Sequence, residues 1–218
     1  MKVKVCGLNN QVNALKIALA GVDMVGFIFH PNSPRFIQQP FDNSFYDAAP
    51  KSVKRVGVFV DAPEAQVLDC VKGYSLDYVQ LHGAESPDYC LQLRAKGVPV
   101  IKAFAVGDNF DFRITKAFSH SCSLFLFDAS GSKKGGNGIT FRWNLLSKYE
   151  LTVPFLLSGG VSIDHLSALK ELKHPALAGF DINSRFEVSP GVKDIVKVSE
   201  FVESVKQFKH NYSETHRI

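Results

Sequence analysis

Val25-Gly26-Phe27-Ile28-Phe29 and Val56-Gly57-Val58-Phe59-Val60 are two short runs in which every residue is apolar or glycine. A strand with one wet face alternates polar and apolar side chains. A run that is apolar throughout reads instead as a strand buried on both faces of a parallel sheet. Runs of this kind recur at 2–6, 24–29, 55–60, 78–81, 100–105, 124–128, 155–158 and 179–182. Amphipathic stretches separate them. The stretch 11–20 follows the capping pair Asn9-Asn10 and ends at Gly21. Those at 63–72 and 86–96 begin with a proline in or near the first turn and are followed by Gly73 and Gly97, and 163–171 has Ser162 as its expected cap. The stretch 194–209 reads as a long final helix, whereas 41–49 is a poor helix and 107–120 holds at most a short one. Alternating strands and helices imply a doubly wound sheet or a closed barrel. Eight such units in 218 residues, about 27 residues each, favour a single-domain α/β fold, the (β/α)8 TIM barrel. The barrel is expected to occupy 1–209, with 210–218 as a polar C-terminal tail.

Bulk properties narrow the function classes. At 45% hydrophobic and 21% charged residues, the composition suits an ordinary globular core. No run of about 18 apolar residues occurs, and Met1-Lys2-Val3-Lys4-Val5 lacks an apolar signal region, so a cytoplasmic protein without membrane contact is expected. Cys6, Cys70, Cys90 and Cys122 form no C-x-x-C pair, which argues against zinc and for reduced thiols. The net charge of +4 and pI of about 8.8 come from scattered basic residues, with Lys133-Lys134 the one notable pair, so no nucleic-acid stripe is expected.

In a barrel of this kind, chemistry gathers at the C-terminal ends of the strands. Those ends carry Cys6-Gly7, then His30 to Arg35, Asp61, Gln80-Leu81-His82-Gly83, Asp128, Ser158-Gly159-Gly160, and Asp181 with Asn183-Ser184. Gly159-Gly160 before a helix, Gly135-Gly136-Asn137-Gly138, and the polar turn after the last strand suggest a phosphate cradle, because glycine lets backbone N–H groups approach an anion. Neither a dinucleotide fingerprint nor a Walker loop occurs. Cys6 is either a small core residue or a reactive thiol. Asp128 closes the apolar run Leu124-Phe125-Leu126-Phe127 and is either a hydrogen-bonded structural carboxylate or an acid–base group. Lys102 within the fifth strand is either a Schiff-base lysine or half of an internal ion pair.

Taken in order, Lys4-Val5-Cys6-Gly7-Leu8, Gly26-Phe27-Ile28-Phe29 with Ser33-Pro34-Arg35-Phe36, Val79-Gln80-Leu81-His82-Gly83, Phe127-Asp128 with Gly135-Gly136-Asn137-Gly138, Leu157-Ser158-Gly159-Gly160-Val161 and Pro190-Gly191-Val192-Lys193-Asp194 resemble the phosphoribosylanthranilate isomerase family. The resemblance implies an enzyme of tryptophan biosynthesis that performs an Amadori rearrangement on a phosphorylated small molecule, with no cofactor or metal, as a monomer or homodimer. It implies Cys6 as general base and Asp128 as general acid, so that Asp128 would be protonated and Cys6 a thiolate with its pKa drawn below about 8.5. Arg35 would hold the anthranilate carboxylate, and His82 and Asp181 would contact the substrate. Gly136, Gly138, Ser158, Gly159, Gly160, Asn183 and Ser184 would cradle the phosphate. The chain departs from the family pattern at Ile139 and Arg142, where Lys and Asp are common, and at His30 and Asn32, where Tyr or Lys is common. It also reads Asn183-Ser184-Arg185-Phe186-Glu187 where the family commonly has Ser-Ser-Gly-Val-Glu. Arg185 then either reaches the phosphate or turns outward to an acid such as Glu187, and the outward position is expected because the family uses amides and a glycine here. Three rivals are weighed at this level: a histidine-pathway sugar isomerase, which would carry an aspartate where Cys6 stands, a lyase working through Lys102, and a non-catalytic binding module, against which intact Cys6, Asp128 and Arg35 argue.

Overall fold

The computed structural model describes residues 1–128 and 143–208. Strands β1 (Lys2–Val5), β2 (Met24–Ile28), β3 (Lys54–Phe59), β4 (Tyr78–Leu81), β5 (Val100–Ala105), β6 (Leu124–Asp128), β7 (Phe155–Ser158) and β8 (Leu177–Ile182) pair in sequence order, and β8 closes on β1. All eight pairings are parallel. The expected (β/α)8 barrel is therefore the fold. Each parallel neighbour needs a crossover. Helices α1 (Gln11–Leu19), α2 (Asn43–Ala48), α3 (Glu64–Gly73), α4 (Pro87–Ala95), α5 (Leu166–Glu171) and α6 (Ile195–Gln207) lie on these connections or follow the last strand. Side chains of Asn10, Ser86 and Asp194 accept from the backbone N–H three residues on, which satisfies donors that the first turn leaves open. The expected cap at Ser162 is not one. Its hydroxyl meets His165 instead, and the segment starts as a short 3-10 turn, Ile163–His165, ahead of α5. The weak stretch after β5 forms a 3-10 helix, Phe112–Phe118.

The period of two in each strand sorts side chains into two apolar layers. Val3, Val5, Phe125 and Phe127 face outward into the shell beneath the helices. Met24, Val56, Ile101, Leu124, Leu126 and Leu156 fill the barrel interior. Both faces are dry, which is why the runs do not alternate. At the closure a Cβ on Gly179 would lie 2.0 Å from the Lys2 carbonyl oxygen, so β8 can approach β1 only without a side chain there.

An antiparallel hairpin, β9 (Glu187–Ser189) and β10 (Val192–Lys193), follows β8 and was not apparent from the sequence. Gly191 turns it at φ +88°, and a Cβ there would strike the Asn9 side chain. The hairpin is thereby docked on the loop after β1. The Asn13 side chain on α1 completes the docking by pairing with both backbone polar groups of Lys193, at 2.9 and 2.8 Å. Among the described residues, no helix is long and apolar enough to cross a membrane. The expected tail 210–218 lies outside the described residues.

Candidate active site

Inward-facing side chains just past the last interior layer reach the C-terminal mouth of the barrel. There Cys6, Gln80, His82, Asp128, Ser158 and Asp181 line a cleft of about 190 Å³ together with Gly159, Gly160, Asn183, Ser184 and Arg185. The structure thus gathers nearly all the site residues expected from the sequence. Gly136 and Gly138, the other two expected phosphate contacts, lie outside the described residues, as do Ile139 and Arg142.

Cys6 follows β1, and its N–H is held by the Ile182 carbonyl. Its sulfur shares the barrel mouth with Lys4, a fully buried lysine on the same inward face, whose Nζ lies 2.8 Å from Asp181 Oδ1. Burial works against the Lys4 charge, yet the Asp181 carboxylate and the Cys6 sulfur together hold its ammonium above the ordinary value. The thiol departs from expectation. Burial pushes Cys6 up from its ordinary value, and Asp181 adds to this, while Lys4 and Lys193 pull the other way without overcoming it. Desolvation of the thiolate outweighs the nearby cations.

Across the mouth, the Gln80 amide nitrogen lies 3.1 Å from His82 Nδ1. The other ring nitrogen, Nε2, stands 3.6 Å from Asp128 Oδ2. Gln80 also lines the cleft, although the sequence reading, which placed it at the end of the fourth strand, gave it no role. Its signal was a polar side chain between Val79 and Leu81, at the inward register of an otherwise apolar strand. Lys102 is held as an internal ion pair. Its ammonium meets Glu85 at 3.1 Å and the Leu81, Gly83 and Ala103 carbonyls at 3.1, 2.8 and 3.2 Å. Glu85 also accepts from the Asp61 and Gly83 N–H groups, so the pair fixes the loop that carries His82.

Opposite these groups, Ser158-Gly159-Gly160 turns with both glycines at positive φ, +81° and +74°, which side-chain-bearing residues rarely adopt. His165 Nδ1 donates to the Gly160 carbonyl at 2.9 Å and pins the turn. The 3-10 turn Ser184–Phe186 faces it, anchored by buried Phe186. Arg185 on this turn is exposed and borders the cleft, and Glu187, the acid expected to pair with it, is held by other groups. Glu187 is already occupied. It receives Arg35 Nε and Nη2 at 2.8 and 2.6 Å, Lys193 Nζ at 2.6 Å and the Gly191 N–H at 3.1 Å. Burial opposes its charge, but these partners hold the Glu187 carboxyl down at about 2. Arg35 itself crosses Gly7, where its stem would lie 2.7 Å from a Cβ and so leaves no room for one. The guanidinium is thus carried beside Cys6 at the rim rather than into the cleft.

Comparison with known proteins agrees with this architecture. The family model for N-(5'phosphoribosyl)anthranilate (PRA) isomerase matches residues 3–204. The N-(5'-phosphoribosyl)anthranilate isomerases of Parabacteroides distasonis and Phocaeicola vulgatus are each 39% identical to the chain. The first alignment covers 94% of this chain and 93% of the relative, the second 95% and 98%. Among solved structures, phosphoribosyl anthranilate isomerase from Thermotoga maritima superposes with a TM-score of 0.78 at 30% identity, over 95% of this chain and 99% of that one. A phosphoribosyl anthranilate isomerase in complex with reduced 1-(o-carboxyphenylamino)-1-deoxyribulose 5-phosphate superposes with a TM-score of 0.75 at 28% identity, over 95% and 99%. With a family model spanning nearly the whole barrel and relatives matched over almost their full length, this chain belongs to the N-(5'-phosphoribosyl)anthranilate isomerase family.

Proposed function

We propose that the chain isomerises N-(5'-phosphoribosyl)anthranilate to 1-(2-carboxyphenylamino)-1-deoxyribulose 5-phosphate, an Amadori rearrangement in tryptophan biosynthesis. The observation that carries this reading is that Cys6 and Asp128, from strand ends far apart in sequence, line one cleft beside a glycine-built turn. Asp128 is the general acid. Its carboxyl proton goes to the furanose ring oxygen as the C1'–O bond breaks and the nitrogen lone pair forms a cationic Schiff base. Cys6 is the general base. Its thiolate takes the C2' proton, and the electron pair moves toward nitrogen to leave a neutral enolamine, which tautomerises to the ketose. C1' is reduced as C2' is oxidised, so the reaction needs no outside oxidant or reductant. The cationic intermediate also favours the thiolate beside it, which offsets the burial that disfavours that ion.

The other residues divide between the two ends of the substrate. Ser158, Gly159, Gly160, Asn183 and Ser184, with Gly136 and Gly138, take the phosphate, and Arg185 adds a cation to that cradle. Arg35 takes the anthranilate carboxylate at the rim, where a planar guanidinium suits a carboxylate. His82 and Asp181 contact the sugar. The reading also makes the protein a cytoplasmic enzyme, monomeric or homodimeric, acting on a free metabolite. The test is purified protein with freshly formed phosphoribosylanthranilate, followed by loss of substrate fluorescence. Turnover is expected without added metal or cofactor, and no turnover above the uncatalysed decay overturns the reading.

A further inference from the structure

Lys4 is an unusual residue for the inside of a barrel: wholly buried, aliphatic for most of its length, and charged at its end. Asp181 partly explains it, but one carboxylate oxygen satisfies only one of three ammonium donors. The rest of the head faces Cys6. A Cβ built on Gly26 would lie 3.0 Å from Cys6 Sγ and 3.3 Å from Lys4 Nζ, so the thiol and the ammonium converge on the same bare patch of β2. Glycine is needed there because the two groups occupy the space above it. We propose that Lys4 is a positioning residue that draws the Cys6 sulfur toward its thiolate against the burial opposing it, with Asp181 setting how much of the lysine charge the sulfur receives. The inference rests on the assignment of Cys6 as the base.

The charges around the sulfur come from four elements. Lys4 stands on β1 and Asp181 on β8. Lys193 is on β10, with its ammonium shared between Glu187 and Asn183, and Arg35 lies in the loop after β2, paired with Glu187. Lys193 and Arg35 already bind Glu187, whereas Lys4 has Asp181 on one side and the sulfur on the other. Among these cations, Lys4 gives the largest downward pull on the thiol. Coulomb attraction at this range in a dry site is large compared with the same pair in water. Lys4 and Asp181 therefore act on the thiol with opposite signs. A lysine that served only to fill space or close the barrel would show no such opposition.

The test is the rate of Cys6 alkylation by iodoacetamide against pH, read by mass on the N-terminal peptide so that Cys70, Cys90 and Cys122 do not interfere. Folding is checked by circular dichroism. Lys4→Gln is expected to raise the midpoint and slow alkylation at neutral pH by about tenfold, equivalent to about one pH unit. Asp181→Asn is expected to shift the midpoint the other way and speed alkylation. In turnover, the acidic limb of the Lys4→Gln profile moves up with kcat falling and KM little changed. If Lys4→Gln does not fold, the Asp181→Asn arm decides. Midpoints that stay at the wild-type value, or that move in the same direction in both variants, overturn the proposal. The reading of Cys6 as base fails separately, if Cys6→Ala keeps its turnover while the two midpoints still move apart.

Discussion

At Cys6 two demands conflict. A base must lose its proton, yet the thiol of Cys6, a residue 4% exposed at the end of a buried strand, resists becoming an anion. Burial prevails, so the thiol stands above its ordinary value and the thiolate fraction grows as pH rises. The acidic limb of kcat/KM, which reports the free enzyme, is therefore expected on the alkaline side of neutrality, with activity lost as pH falls through it. Asp128 stands across the cleft with its side chain 18% exposed, 3.6 Å from His82 Nε2. Cys6→Ala and Asp128→Asn should each lower kcat on the order of 10²–10⁴-fold, the usual worth of a placed acid or base, with KM nearly unchanged. Steady-state kinetics on both variants checks this. Cys6→Ala retaining more than about a tenth of wild-type kcat would place the base elsewhere.

Among the elements, the turn after β8 distinguishes this chain from its relatives' pattern. Phe186 is buried and pins the Ser184–Phe186 turn to the shell under α6, which leaves Arg185 exposed at the border of the cleft that the Ser158–Gly160 turn also lines. Glu187 next door cannot draw Arg185 away, because Arg35 and Lys193 already saturate it. An arginine in this position supplements an anion site otherwise made of backbone N–H groups and hydroxyls. Arg185→Ala should raise KM about tenfold, a loss of about 1.4 kcal/mol, and weaken competition by inorganic phosphate by a similar factor, with kcat little changed. A KM within about threefold of wild type would mean that the guanidinium does not touch the phosphate.

For the whole molecule, the seam at which β8 meets β1 is reinforced outside the sheet by Glu187. Through Arg35 it reaches the loop after β2, and through Lys193 and Gly191 it holds the hairpin, so one carboxylate bridges across β1. Held at about 2, it ionises more readily in the folded protein than at the ordinary glutamate value of about 4.3. A lowered folded value stabilises the fold above the unfolded value, and that contribution disappears as pH falls through the folded one. Glu187→Gln should therefore destabilise on the order of 2 kcal/mol at pH 7, after allowance for partial solvent screening, and by much less near pH 2. Urea unfolding of both proteins at the two pH values measures this. A difference that does not shrink in acid would show that the network acts through shape and not through charge.

The barrel was legible in the chain because strands buried on both faces must be apolar throughout, and 25–29, 56–60 and 124–127 are. Cys6, His82, Asp128 and Ser158 were legible for a related reason, since a polar group that ends an apolar run has to meet something at the mouth. The strand and helix positions followed from local pattern, and the family from the order of short motifs. Tertiary structure alone decided the rest. Arg35 and Glu187 are 152 residues apart, and Lys4 and Asp181 are 177 apart. Nothing near either member of a pair names its partner. The protonation of Cys6 depends on how burial, Lys4 and Asp181 balance. Burial pattern is a local property written along each element. Which charge faces which is set only when the sheet closes and distant strand ends are brought within a few ångströms of one another.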